Sequence, residues 1–131
     1  MDLNQVTLPT TDLGRAVAFY KRLGFALIVD SPPRYARFEC RPDGPSFSLH
    51  LVEAVAKDNQ VVIYFECEDL DRQVAELRTA GIQFETEPTD QPWRWREARL
   101  RDPDANRLCL YHAGRNRLYP PWRVPATGEK E

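Results

Sequence analysis

The chain has 131 residues and a formal net charge of −2, with acidic and basic side chains in nearly equal number. This length suits one domain with its own core, and the balanced charge gives little attraction for nucleic acid. Three cysteines without a CxxC pair argue against a disulfide framework and a structural zinc site. The longest apolar runs are too short to span a membrane. We therefore expect a cytoplasmic protein with neither a nucleic-acid nor a membrane partner.

The first half of the chain predicts one strand, one helix and three further strands. Val6 and Leu8 alternate with polar neighbours, as in a half-buried strand. Asp12 then stands at a helix N-cap, apolar residues recur at three- and four-residue spacing, and Gly24 ends the helix. Runs at 25–29, 35–40 and 46–52, separated by Pro, Gly and Asp turns, predict the three strands.

The second half repeats this pattern at an offset of 57 residues. Six identities carry the alignment, namely Asp12 with Asp69, Leu13 with Leu70, Arg15 with Arg72, Val17 with Val74, Ala18 with Ala75 and Gly24 with Gly81. Strands are predicted at 61–67, 83–86, 95–101 and 108–112, with a helix after Asp69. The predicted fold class is α+β: tandem βαβββ modules, about 4–56 and 60–112, form curved mixed sheets around a cavity within a single domain, 1–112.

The segment 113–131 differs from the two halves in composition. Three prolines, Pro120, Pro121 and Pro125, disfavour a helix and predict an extended arm. Tyr119 and Trp122 are candidate anchors for this arm, on the same chain or on a second subunit. We expect the last six residues to be disordered.

Four short segments carry a resemblance to a known family. They are VTLPTTDL at 6–13, AFY with LGF at 18–25, EDLD at 68–71 and DPDAN at 102–106. In these the chain resembles the vicinal oxygen chelate superfamily, which includes glyoxalase I, bleomycin-resistance proteins, extradiol dioxygenases and fosfomycin-resistance enzymes. The resemblance implies the fold and, by analogy, a homodimer. It does not imply one activity, because this fold supports many functions.

The resemblance also implies four positions for metal ligands. By spacing they fall on Gln5, His50, Val62 and Cys109, but Val62 has no lone pair. We therefore expect no metal cofactor. The alternative is a divalent metal ion held by Gln5, His50 and Cys109.

Strand alternation predicts which side chains face the cavity. His50 and Glu66 are the candidate catalytic residues, each as a general base. The candidate ligand-binding residues are the polar and aromatic side chains Gln5, Thr7, Tyr35, Arg37, Ser48, Tyr64, Trp95, Arg96 and Tyr111. Of these, Arg37 or Arg96 could pair with a ligand carboxylate.

The sequence is compatible with three functions. The leading hypothesis is a metal-independent protein that binds or sequesters a small, partly aromatic organic ligand. The second is an enzyme: a lyase, isomerase or dioxygenase with a degenerate metal set centred on His50, or a metal-free catalyst using His50 or Glu66. The third is a regulatory or partner-binding module that uses the segment 93–95 and the arm around 119–122.

Overall fold

The structure, a computed structural model, describes residues 1–126 and contains two βαβββ modules. Module 1 consists of β1 Gln5–Thr10, α1 Leu13–Arg22, β2 Ala26–Ser31, β3 Tyr35–Glu39 and β4 Ser46–Leu51. Module 2 consists of β5 Val62–Glu66, α2 Leu70–Thr79, β6 Thr89–Asp90, β7 Arg96–Arg101 and β8 Arg107–His112. The strand orders are β1-β4-β3-β2 and β5-β8-β7-β6, with one parallel pair in each mixed sheet. The predicted fold class is confirmed.

Both helices begin and end where the repeat predicts. Asp12 accepts a hydrogen bond from the Arg15 backbone N–H at 3.1 Å, and Asp69 does the same for Arg72 at 3.2 Å. Just beyond the helices, Gly24 and Gly81 have φ angles of 105° and 93°. These left-handed conformations favour glycine, and they turn each chain back toward its sheet.

Two predicted segments differ from the structure. The segment 83–86 is not a strand, because the N–H groups of Glu85 and Thr86 converge on the single carbonyl of Arg99 and no ladder forms. Regular pairing begins at Thr89, so the sixth strand is only two residues long. The arm begins with a short 3₁₀ helix, Gly114–Arg117, rather than in an extended form. Of the predicted disordered end, 127–131 lies outside the described residues.

One hydrophobic cluster joins the two modules. The rings of Phe25 and Phe65 meet across the boundary with centroids 4.8 Å apart. Beside them, the buried Tyr20 hydroxyl donates to Asp102 at 2.7 Å. The modules are therefore docked through both apolar and hydrogen-bonded contacts.

Each sheet has one face toward its helix and an opposite face, which we call the open face. In module 1 the helix-side residues include Phe38, Phe47 and Leu49, all buried. The alternate positions of β1, β3 and β4 form the open face, and they carry Gln5, Thr7, Tyr35, Arg37, Ser48 and His50. In module 2 the corresponding face carries Val62, Tyr64, Glu66, Trp95, Glu97, Arg99, Cys109 and Tyr111. Among residues 1–126, no helix is long and apolar enough to cross a membrane.

Candidate functional site

A cleft of about 730 Å³ lies between the modules. Its lining includes open-face residues, namely Gln5 and Ser46 of module 1 and Tyr64, Glu66 and Tyr111 of module 2, together with core residues of both modules such as Phe25, Phe47 and Phe65. This volume lies within the range of small-molecule sites, which is about 300–1,000 Å³. The cleft therefore connects the edges of the two open faces.

Polar side chains of module 1 form one hydrogen-bonded chain on the open face, which we call the module 1 network. Gln5 Nε2 donates to Ser48 Oγ at 2.6 Å, and Ser46 donates to Gln5 Oε1. Ser48 Oγ lies 2.5 Å from the Tyr35 hydroxyl, which accepts from Arg37 Nε at 3.0 Å. The hydrogen bond with Ser48, together with Arg37, lowers the pKa of the Tyr35 hydroxyl. Four predicted site residues are thus brought into direct contact.

Two other predicted residues of module 1 lie on the open face without joining this network. Thr7 pairs with Ser48 and His50 pairs with Pro9, and both Thr7 and His50 are exposed. The His50 imidazole makes no hydrogen bond to any residue within 1–126, and it does not line the cleft. A general base needs a group that holds its orientation, and the described residues supply none to His50.

The alternative metal set fails on strand register. His50 pairs with Pro9, four residues beyond Gln5 on the same strand. At about 3.3 Å per residue this separation is about 13 Å, too far for one ion to be shared. Gln5 and His50 of one chain are therefore too far apart to hold one ion together. The open-face residues in contact with Gln5 are instead Ser46 and Ser48.

The equivalent positions of the two modules also argue against a metal site. Ser48 faces Thr7 in module 1 as Cys109 faces Tyr64 in module 2, so Ser48 is the counterpart of Cys109. Burial raises the pKa of the Cys109 thiol to about 12, so it stays protonated at neutral pH. Within 1–126, no cluster of three His, Cys, Asp or Glu side chains is arranged to hold a metal ion. The side chains present do not fit a divalent metal centre.

Module 2 places three aromatic rings together on its open face, and we call them the aromatic cluster. Trp95 stacks on Tyr111 with centroids 4.6 Å apart and an interplanar angle of 26°. Tyr64 meets both rings edge-on, at 5.7 Å from Trp95 and 5.5 Å from Tyr111. Tyr64 is 41% exposed, whereas Tyr111 is only 5% exposed. A supported, partly open aromatic surface of this kind can stack on a planar ligand.

Glu66 lies at the end of this surface and holds the arm. Its Oε2 accepts from the backbone N–H groups of Ala113 and Gly114, at 2.8 and 2.7 Å. Partial burial alone would raise the pKa of the Glu66 carboxyl, but these two hydrogen bonds outweigh it and the pKa falls below its ordinary value. A carboxylate stabilised in its ionised form is a weak proton acceptor, so this geometry does not favour the predicted role as a general base.

Arg96 does not lie on the open face. Its side chain extends on the helix side of β7, where Nε bonds to Asp71 at 2.8 Å and Nη1 bonds to Asp90 at 3.0 Å. Successive side chains of a strand point to opposite faces, so Trp95 and Arg96 cannot both face one cavity. The predicted orientation of Arg96 toward the cavity is therefore wrong.

Arg99 and Glu97 occupy the open face instead, and neither is among the site residues predicted from the sequence. Arg99 Nη2 bonds to Glu97 Oε1 at 3.0 Å and to the Tyr64 hydroxyl at 3.3 Å. Glu97 is only 2% exposed and also accepts from Trp93 Nε1 at 2.8 Å. Strict alternation from Trp95 would have identified both residues.

Comparison with known proteins agrees with this fold. The family model described as the Glyoxalase/Bleomycin resistance protein/Dioxygenase superfamily matches residues 2–110. The uncharacterised protein YraH of Bacillus subtilis (strain 168) is 28% identical over 129 residues, which cover 85% of this chain and 98% of YraH.

Two solved structures show the same architecture. One is a bleomycin-binding protein in complex with bleomycin, with 25% identity and a TM-score of 0.69. The other is a bleomycin resistance determinant encoded on the transposon Tn5, with 25% identity and a TM-score of 0.71. Each match covers 86% of this chain and 98% of the solved chain. The chain therefore belongs to the glyoxalase/bleomycin resistance protein/dioxygenase superfamily.

Proposed function

We propose that this protein binds a small, partly aromatic organic molecule without the help of a metal ion. The observation that carries the proposal is the aromatic cluster of Tyr64, Trp95 and Tyr111. Its rings are fixed by one another, and Tyr64 keeps two-fifths of its surface open to solvent. A prearranged aromatic surface binds a planar ligand with little loss of side-chain freedom.

The surroundings of the cluster support an apolar ligand. Val62 and the protonated Cys109 pack beside the rings, so this part of the open face offers little to a strongly hydrated molecule. Arg99 is held over the Tyr64 ring, with its guanidinium carbon 5.8 Å from the ring centroid. Offset or edge-on aromatic contacts contribute about 0.5–1.5 kcal/mol beyond their buried area.

The related proteins support small-molecule binding in general. A solved relative with 25% identity has bleomycin bound, and this is said of that protein alone. We include metal independence in the proposal because Gln5 and Ser48 already bond to each other, Val62 has no donor atom and Cys109 stays a thiol. The enzyme hypothesis lacks a held base, since His50 has no orienting partner among the described residues and Glu66 has a lowered pKa.

We also propose that the protein is cytoplasmic and forms a homodimer. All three cysteines are free thiols, which suits the reducing cytoplasm. The arm exposes Leu118, Tyr119, Trp122 and Val124, and such an apolar stretch suits burial against a second subunit of a homodimer.

A titration with a neutral aromatic probe tests the proposal. Protein dialysed against EDTA is titrated with 2-naphthamide and with metal-free bleomycin, and heat is measured by calorimetry. We expect saturable binding of 2-naphthamide that is unchanged by added divalent metal. Trp95→Leu is expected to weaken it by about tenfold, because a supported ring is lost from the stack.

Trp122→Leu is the matched control, because Trp122 is 54% exposed on the arm and is not part of the aromatic cluster. It makes the same chemical change away from the site. Equal loss in both variants, or binding only after metal is added, would contradict the proposal. Binding of 2-naphthamide but not of bleomycin would restrict the ligand to smaller molecules.

A further inference from the structure

We infer that the open face of module 1 binds an anionic group of the ligand, a carboxylate in the first instance, through Arg37. This inference rests on the proposed function and names the chemical class of the ligand. It predicts an aromatic organic anion. The inference is drawn from the contacts within the module 1 network.

The Arg37 guanidinium is held in place but its charge is not neutralised. Its Nε donates to the Tyr35 hydroxyl at 3.0 Å, and its carbon lies 5.4 Å from the Tyr35 ring centroid. The two terminal nitrogens make no hydrogen bond or ion pair with any residue in 1–126. Arg37 is nevertheless half-buried. A partly desolvated cation with free N–H groups attracts an anion.

Arg99, the matching arginine of module 2, has its positive charge balanced by a carboxylate. Arg37 faces Ser48 across the sheet as Arg99 faces Cys109, so the two arginines occupy the same position of the repeat. Arg99 pairs with the buried Glu97, and the position of Glu97 is taken in module 1 by Tyr35. Module 1 therefore has the cation without its carboxylate.

One acidic residue, Glu39, lies on the same strand as Arg37 and could in principle neutralise its charge. Glu39 lies two positions beyond Arg37 and pairs with Ser46, at the far end of β3 from Tyr35. No ion pair joins Glu39 to Arg37 among the described residues. The positive charge of Arg37 stays available to a ligand.

The hydroxyl groups of the network add one free hydrogen-bond donor. The Tyr35 oxygen accepts from Arg37, and the Ser48 oxygen accepts from Gln5. The two oxygens lie 2.5 Å apart, and only one hydrogen can occupy the space between them. The other hydroxyl hydrogen is then left over, and because Ser48 is fully buried a ligand reaches this hydrogen when Tyr35 keeps it. The network thus presents donors next to a cation, and it would bind an acceptor with negative charge.

A pair of nearly isosteric probes tests this inference. 2-Naphthoate carries a carboxylate, whereas 2-naphthamide carries a neutral amide on the same rings. We expect the wild-type protein to bind 2-naphthoate at least about tenfold more tightly, the ratio expected for a hydrogen-bonded charge pair. Arg37→Met is expected to remove this preference, so that both probes bind with similar affinity, as measured by calorimetry.

Arg72→Met is the control for net charge. Arg72 is an exposed residue of α2 whose side chain pairs with Glu76, so the variant loses one positive charge away from the open faces. It is expected to keep the preference for the carboxylate. Circular dichroism checks that all variants are folded.

The outcomes separate this inference from the proposed function. Equal affinity for both probes in the wild type overturns the anion site and leaves aromatic binding intact. Preference for 2-naphthoate that survives Arg37→Met overturns the assignment to Arg37. Binding of 2-naphthoate that depends on Arg37 but not on Trp95 supports the anion site and contradicts the aromatic cluster as the ligand surface. Binding of neither probe at millimolar concentration overturns both.

Discussion

The two modules share one backbone plan, but at several equivalent positions only one of them carries an aromatic residue. Module 1 has aromatic rings on the helix side, at Tyr20, Phe25, Phe38 and Phe47. The corresponding positions of module 2 are aliphatic, with Leu77, Ile82, Leu100 and Leu108. On the open face it is module 2 that carries the aromatic cluster, formed by Tyr64, Trp95 and Tyr111.

At four equivalent positions the open face of module 1 is polar where that of module 2 is apolar or aromatic. Gln5, Thr7, Ser48 and His50 correspond to Val62, Tyr64, Cys109 and Tyr111. Only the central arginine is kept, and among residues 1–126 it is paired with a carboxylate in module 2 but not in module 1. Core positions accept any apolar side chain of suitable volume, so both interiors pack. The open faces are not bound by that constraint, and there the modules have different chemistry.

The largest effect that tests this comparison concerns the two cores. Phe47→Ala is expected to lower the free energy of unfolding by about 3–5 kcal/mol, and Leu108→Ala at the same repeat position by about 2–5 kcal/mol. Phe47 is the costlier because its ring contacts Phe65 of module 2 as well as its own module. Urea unfolding followed by circular dichroism measures both. A larger loss for Leu108→Ala would contradict the view that the aromatic core of module 1 carries the junction.

An intermediate effect sharpens the comparison of the arginines. Glu97→Gln keeps an oxygen that can accept from Trp93 but removes the ion pair with Arg99. We expect a stability loss of about 1–3 kcal/mol, the cost of a hydrogen bond to a charged group. The variant should also gain affinity for 2-naphthoate, because Arg99 then resembles Arg37. Unchanged binding in a folded variant would show that a free arginine alone does not make an anion site.

The smallest effect concerns Glu66, which has no acidic counterpart in module 1. Glu66→Gln is expected to lower stability by less than about 1 kcal/mol, since the carboxylate is partly exposed. The folded-state pKa of Glu66 is lowered, so its contribution is complete above the unfolded value of about 4.3 and is lost as pH falls through the folded value. Thermal unfolding of both proteins from pH 7 to pH 3 measures the difference.

Glu53→Gln is the control for this pH series, because the exposed Glu53 makes no ion pair with residues in 1–126. It should match the wild type throughout. A difference between Glu66→Gln and the wild type that grows at low pH would contradict the assigned role of the carboxylate.

The sequence by itself determined the architecture. Helix caps at Asp12 and Asp69, the glycines after each helix and the spacing of apolar residues are local signals, so they could be read without a structure. The internal repeat then required two modules of the same kind. The short β6 was missed because its residues pair only through the edge of β7, and no local pattern marks that pairing.

The tertiary structure decided which side chains meet. Residues an odd number of positions apart on a strand point to opposite faces, and this separates Arg96 from Arg99. Residues an even number of positions apart share a face but lie farther along it, and this separates Gln5 from His50, whose partner Pro9 is four residues away. The cleft depends on how the modules dock, which is fixed by long-range contacts such as Tyr20 with Asp102. Local patterns specify elements, whereas register and docking depend on residues far apart in the chain.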